Sequence, residues 1–247
     1  MSTTLAEHYQ SVCDRIRQAC QNSGRIPEEV SLLAVSKTKP ASMVESCYQL
    51  GQRRFGENYL QDAVEKITAL AGLSDIEWHF IGPLQSNKTR AVAEHFQWME
   101  TLDRDKIAQR LNEQRPPHLP PLNVLIQVNI SAEPQKAGLP PADITRLAAM
   151  INSLPRLQLR GLMCIPQASE DEAVVVAHFQ QMRHLFEALQ QQYPGVDTLS
   201  MGMSNDLELA IRHGATQVRI GTDIFGARPG QQSHSDTDGH DKHEDSL

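Results

Sequence analysis

The amine of Lys37 is the most reactive group that the sequence places in a defined setting. It lies in the run Leu33-Ala34-Val35-Ser36-Lys37-Thr38-Lys39-Pro40. In an extended chain, side chains alternate with period two, so Leu33, Val35 and Lys37 share one face. A lysine held among apolar groups loses part of its preference for charge, and its pKa falls. Its amine then adds to an aldehyde or ketone to form a Schiff base. The plainer alternative is a lysine whose ammonium snorkels to water. Lys39 precedes a proline and is read as pointing along the loop.

Two later segments suit an anion. Ser200-Met201-Gly202-Met203-Ser204-Asn205-Asp206 offers hydroxyls, a glycine and the start of a helix. Unpaired N–H groups at a helix N-terminus attract negative charge. Arg219-Ile220-Gly221-Thr222 adds a glycine that permits close backbone approach and a further hydroxyl. Each feature alone is also an ordinary cap or turn. Together they read as a phosphate cradle. An amine facing such a cradle fits an aldolase acting on a phosphorylated carbonyl compound. It also fits pyridoxal 5′-phosphate, with Arg219 as partner of the ring nitrogen. Arginine stays protonated and can only donate. It would hold that nitrogen unprotonated and weaken the ring as an electron sink. An aldolase calls for a carboxylate or tyrosine relay at the lysine. Asp103 and Glu57 are available, but no spacing ties either to Lys37.

These residues must be brought together by a repeating scaffold. Apolar runs predict strands over Ser31–Lys37, Arg54–Tyr59, Glu77–Gly82, Trp98–Leu102, Asn123–Ile130, Leu159–Ile165, Thr198–Met203 and Gln217–Phe225. Amphipathic patterns between them predict helices over Ala41–Leu50, Gln61–Ala71, Asp105–Gln114, Pro141–Leu154, Asp171–Gln192 and Asn205–His213. The last of these is capped by Asn205 with Glu208 three residues on. An extra helix, Leu5–Asn22, precedes the first strand. Eight strands with intervening helices predict an α/β fold, a single (β/α)8 TIM-type barrel. An open doubly wound sheet is the alternative, but no GxGxxG follows the first strand. In a barrel the active site lies at the C-terminal ends of the strands, often with phosphate held after strands seven and eight. Lys37, Ser204, Arg219, Gly221 and Thr222 all fall there.

Composition excludes several other classes. The chain has 247 residues and a net charge of −7. Gln231–Leu247 carries a net −4 of this and one apolar residue. The sequence therefore predicts one barrel domain over residues 1–230 and a disordered acidic tail over 231–247. His234, His240 and His243 in the tail are read as solvated, with no metal site, because nothing pre-organises them. No basic footprint for nucleic acid exists, and no apolar run is long enough for a membrane span. The N-terminus lacks the pattern of a signal peptide. The four cysteines form no CxxC pair, which suits a reducing cytoplasm. Cys164 is read as a small buried hydrophobe.

Several segments together resemble the pyridoxal phosphate homeostasis protein family, also called the YggS or PROSC family, relatives of the alanine racemase N-terminal barrel. They are Leu33–Pro40, Phe55-Gly56-Glu57-Asn58-Tyr59, Trp78-His79-Phe80-Ile81-Gly82-Pro83-Leu84-Gln85-Ser86-Asn87-Lys88 and Val128-Asn129-Ile130-Ser131. Gly161-Leu162-Met163, Leu199–Ser204, Val218–Thr222 and Ile224-Phe225-Gly226 complete the set. The resemblance implies that Lys37 carries pyridoxal 5′-phosphate as a Schiff base and that Arg219 faces the ring nitrogen. It implies that Ser204, Gly221 and Thr222 hold the phosphate, that Asn58 lines the pocket, and that Ser200 lies nearby. Ala132, where many relatives have glycine, is a loop variation. The acidic tail is outside the family pattern.

The resemblance implies a protein that holds and delivers the cofactor within the cytoplasm, with PLP-dependent apo-enzymes as recipients and without robust catalysis. The alternative is a racemase or another enzyme on the same cofactor. A two-base racemase needs an acid–base group on each face of the substrate carbon. Tyr9, Tyr48, Tyr59 and Tyr193 are the tyrosines, and none follows the predicted barrel. The second base is thus expected to be missing. Without a second domain to dimerise through, a monomer is expected. An adaptor with a vestigial cofactor site is a third class.

Overall fold

The computed structural model describes residues 3–227. The tail predicted over 231–247, and the domain end at 230, lie outside the described residues. Eight parallel strands close into a barrel in chain order. They are β1 (Ser31–Val35), β2 (Arg54–Glu57), β3 (Glu77–Phe80), β4 (Trp98–Leu102), β5 (Leu122–Gln127), β6 (Leu157–Met163), β7 (Thr198–Ser200) and β8 (Gln217–Ile220). Strand β8 pairs back onto β1 from Ser31 to Ala34, which leaves no sheet edge. The (β/α)8 expectation holds and the open-sheet alternative falls.

The helices are α1 (Leu5–Asn22), α2 (Ala41–Gln49), α3 (Leu60–Ala69), α4 (Thr89–His95), α5 (Asp105–Gln114), α6 (Ile144–Asn152), α7 (Glu172–Gln192), α8 (Leu207–Arg212) and α9 (Thr222–Phe225). Helix α1 starts with a reciprocal capping box. Thr4 Oγ1 accepts from the Glu7 N–H, and the Glu7 carboxylate accepts from the Thr4 N–H. No helix among the described residues is long and apolar enough to cross a membrane.

Among the elements, the structure departs from the sequence expectation at several places. Helix α4 was not anticipated, because its seven residues are too few to display an amphipathic period. The last predicted strand divides at Gly221: β8 ends at Ile220, and Ile224 and Phe225 are buried on the short helix α9 instead. The helix predicted from Asn205 begins at Leu207, and Asn205 does not cap it. The Asp206 carboxylate instead accepts from the Met203 N–H at 2.7 Å, closing a turn ahead of the helix.

The main apolar core lies between the strands and the helical shell and includes Phe55, Phe80, Phe96 and Phe179. Inside the barrel, a separate small cluster of Trp98, Leu125 and Met163 fills one layer. Strand β6 changes face to serve both. Leu157 and Leu159 pack in the outer core, as does Leu162, while Met163 points inward. A register shift makes this possible: Val124 pairs with Leu159, but Leu125 pairs with Gly161. Such a bulge adds one residue and inverts the side-chain phase. Gly161 has a φ of 150°, and a Cβ there would lie 1.8 Å from the Thr198 carbonyl oxygen. Only glycine fits.

Candidate functional site

The C-terminal ends of the strands surround a cavity of about 600 Å³. Its walls include Lys37, Asn58, Ser204, Arg219, Gly221 and Thr222. Thus six of the seven residues singled out in the sequence share one space. The seventh, Ser200, is fully buried and bonds to the Arg219 side chain instead of lining that wall.

Lys37 does not lie on the strand. Strand β1 stops at Val35, and the chain turns so that the Lys39 N–H donates to the Ser36 carbonyl at 3.1 Å. Thr38 takes a left-handed φ of 64° to complete the turn. Ser36 anchors it. Its N–H donates to the Gly56 carbonyl, and its hydroxyl donates to Glu57 Oε1 at 2.9 Å. Lys66, reaching in from α3, donates to the Ser36 carbonyl at 2.8 Å and to Glu57 Oε1 at 2.6 Å, and pairs with Asp62 at 3.0 Å. Lys66 and Glu57 are both buried. Burial pushes the Glu57 carboxyl up, and the Lys66 charge opposes that rise without cancelling it. Glu57, one of the two relay candidates, therefore supports the lysine turn from beneath. Asp103, the other, accepts from the Gly138 N–H and lines a separate cavity of about 550 Å³.

Arg219 is 4% exposed, yet it reaches the cavity wall. One Nη donates to Ser200 Oγ and the other to the Cys164 carbonyl, each at 2.8 Å. Beneath it lies a buried polar chain inside the barrel. Glu100 accepts from His79 Nδ1 at 2.7 Å, from Gln217 Nε2 at 2.5 Å and from the Ser200 hydroxyl at 2.8 Å. The His79 ring stacks on Trp98 at 4.9 Å. Burial raises the Glu100 carboxyl, but the hydrogen bond and charge of His79, then the charge of Arg219, bring it below the ordinary carboxylate range. Burial pushes the Cys164 thiol up to about 12, in keeping with a small hydrophobe.

The cradle segments follow β7 and β8. A Cβ on Gly221 would lie 3.2 Å from the Val35 carbonyl oxygen, so the backbone after β8 runs tight against the end of β1. Arg15 of α1 clasps both segments from outside. It donates to the Ser204 carbonyl and to the Asp223 carboxylate, each at 2.9 Å, and pairs with Glu208. Lys39 donates to the Ala227 carbonyl at 2.9 Å and is thereby turned away from the role of Lys37.

Sequence patterning missed Lys66, His79, Glu100 and Gln217. A lysine on an amphipathic helix reads as a surface residue. The available signal was Glu100 itself, a carboxylate within the otherwise buried strand Trp98–Leu102.

The carboxyls also set an acid response. Interaction with the His79 ring, whose Nε2 lies 3.9 Å from the Glu77 carboxylate, offset by burial and aided by the Arg54 charge, lowers Glu77 to about 2. Glu100, Asp75 and Asp197 are lowered too, whereas burial raises Glu57 and Asp206. A depressed folded-state pKa contributes stability that is present above the unfolded value and lost as pH falls. The lowered groups outnumber the raised ones. The melting temperature is expected to drop between pH 4.5 and about 2. Thermal melts followed by circular dichroism check this; a flat profile across that window contradicts it.

Closure of eight parallel strands with one helix ahead of them defines the class: a single (β/α)8 barrel of the kind found in alanine racemases. Residues 10–229 match the family model described as alanine racemase, N-terminal domain. The chain belongs to this family and, within it, to the pyridoxal phosphate homeostasis proteins. It is 54% identical over 226 residues to the pyridoxal phosphate homeostasis protein of Escherichia coli K12, covering 91% of this chain and 97% of that relative. The protein of the same name from Pseudomonas aeruginosa is 56% identical, covering 92% and 96%. PipY of Synechococcus elongatus, solved with PLP bound, superposes with a TM-score of 0.78 at 38% identity, covering 90% of this chain and all of that one. Alanine racemase from E. faecalis shares the fold alone, with a TM-score of 0.64 at 16% identity.

Proposed function

We propose that the protein binds pyridoxal 5′-phosphate reversibly at Lys37, keeps it available in the cell and yields it to apo-enzymes. The observation that carries this reading is the convergence of the Lys37 amine, the Arg219 guanidinium and the Ser204 and Thr222 hydroxyls on a single cavity of about 600 Å³. That volume lies in the range of small-ligand sites. The residues fit the cofactor in a further respect: Asn58 Oδ1 is a buried acceptor on that wall with no partner among the described residues. When bound, the cofactor supplies an aldehyde that condenses with a primary amine and releases water.

The chain's own residues do the rest. The Ser36 turn sets the direction of Lys37. Arg219 donates to the ring nitrogen and keeps a proton off it, which suits storage better than carbanion chemistry. The hydroxyls of Ser204 and Thr222 and the backbone at Gly221 hold the phosphate. The names of the curated relatives support homeostasis over racemisation. The same reading places the protein in the cytoplasm as a monomer. Its four free thiols suit a reducing compartment.

The test is to load the full chain with pyridoxal 5′-phosphate, reduce it with borohydride and map the labelled peptide. The label is expected on Lys37. A label elsewhere, or none, overturns the assignment, and alanine racemisation at an enzyme's turnover overturns the homeostasis reading.

A further inference from the structure

The barrel interior holds more charge than the site above uses. Arg219 is buried, and among the described residues no carboxylate lies within ion-pair distance of its guanidinium. Burying a cation without compensation is costly. Glu100 on β4 is linked to the guanidinium through one hydroxyl, that of Ser200, and the Arg219 charge acts on both Glu100 and Asp206.

Hydrogen-bond direction makes that link specific. An ionised carboxylate only accepts. Glu100 therefore takes the hydrogen of the Ser200 hydroxyl at 2.8 Å. The Ser200 oxygen is left as an acceptor only, and it receives Arg219 at 2.8 Å and Gln217 at 3.0 Å. His79 Nδ1 must donate to Glu100 for the same reason. Every direction in the chain follows from the charge at position 100. A glutamine there cannot reproduce it. Its amide N–H would face either the Gln217 N–H, 2.5 Å from the present oxygen, or the Ser200 hydroxyl. In the second case Ser200 would accept from residue 100 and present its own hydrogen to Arg219.

We propose that Glu100 is a positioning residue for cofactor recognition: acting through Ser200, it fixes the Arg219 guanidinium against the pyridine nitrogen and supplies its counter-charge. This rests on the reading that the cavity takes pyridoxal 5′-phosphate. Glu100 itself does not touch the ligand.

The experiment titrates the full chain with pyridoxal 5′-phosphate and follows the visible absorbance. It compares the wild type with Glu100→Gln, Ser200→Ala and the double variant. Each single change is expected to weaken binding about tenfold, the size of one hydrogen bond to a charged group. Each is also expected to displace the visible band, which a general loss of packing would not do. The double variant is expected to bind no worse than the weaker single, because both changes break one linkage. Unchanged affinity and band in Glu100→Gln overturn the proposal, as do single effects that multiply in the double variant. Should Glu100→Gln fail to fold, Ser200→Ala decides alone: an unaltered band and affinity overturn the linkage. A wild type that does not bind the cofactor sinks the functional reading instead.

Discussion

Replacing Lys37 with alanine removes both the visible absorbance of the cofactor-loaded protein and the borohydride-stable label. Residual binding is expected, because Arg219 and the segments after β7 and β8 remain on the cavity wall. Affinity for pyridoxal 5′-phosphate should fall on the order of 100-fold, equivalent to about 3 kcal/mol. Lys37→Arg should behave like the alanine variant, since a guanidinium keeps the charge but offers no amine able to condense. Lys39 does not substitute, because its ammonium is held by the Ala227 carbonyl at the rim. Equilibrium titration with absorbance detection measures both quantities. A Lys37→Ala protein that keeps the visible band would show that another amine carries the cofactor. The turn also keeps the anchors it has through Ser36.

Lys66→Met should be the most destabilising single change near the site. It leaves the Glu57 carboxylate buried with one hydrogen bond, from Ser36, while its Oε2 already has no partner. Breaking a buried pair in this way costs about 3–5 kcal/mol. The same change removes one of the two donors to the Ser36 carbonyl, one residue before Lys37, and leaves the Lys39 N–H alone there. Cofactor affinity should therefore fall alongside stability. Urea denaturation gives the first quantity and absorbance titration the second. Glu57→Gln combined with Lys66→Met should recover part of the lost stability, because no charge is then left stranded. A Lys66→Met protein within about 1 kcal/mol of the wild type would mean that water reaches Glu57.

The contrast between Lys37 and Lys66 shows what patterning reveals. Lys37, Ser204, Arg219, Gly221 and Thr222 are legible because a barrel converts position along the chain into position around a mouth. A residue at a strand end needs no tertiary information to be placed. Lys66 and Glu100 do not have that property. Their partners come from other elements, and a helical lysine or a single strand carboxylate reads the same whether it meets solvent or a buried counter-charge. Strand boundaries suffered for a related reason. The apolar run through Ile224 and Phe225 continues across Gly221, but the backbone there folds into α9, because helical burial satisfies the same residues. The inversion of β6 at Gly161 is invisible to period counting, since it comes from one residue whose need for a left-handed φ is set by Thr198 on the neighbouring strand.

Arg15 gives the mouth a mechanical property. It stands 189 residues from Ser204 in sequence and binds that residue's carbonyl, while the same guanidinium binds Asp223 beside Thr222. The two segments read as the cradle are thereby yoked to one lever, helix α1. A displacement of α1 therefore bears on both segments at once, and it is applied on the outer side of the barrel.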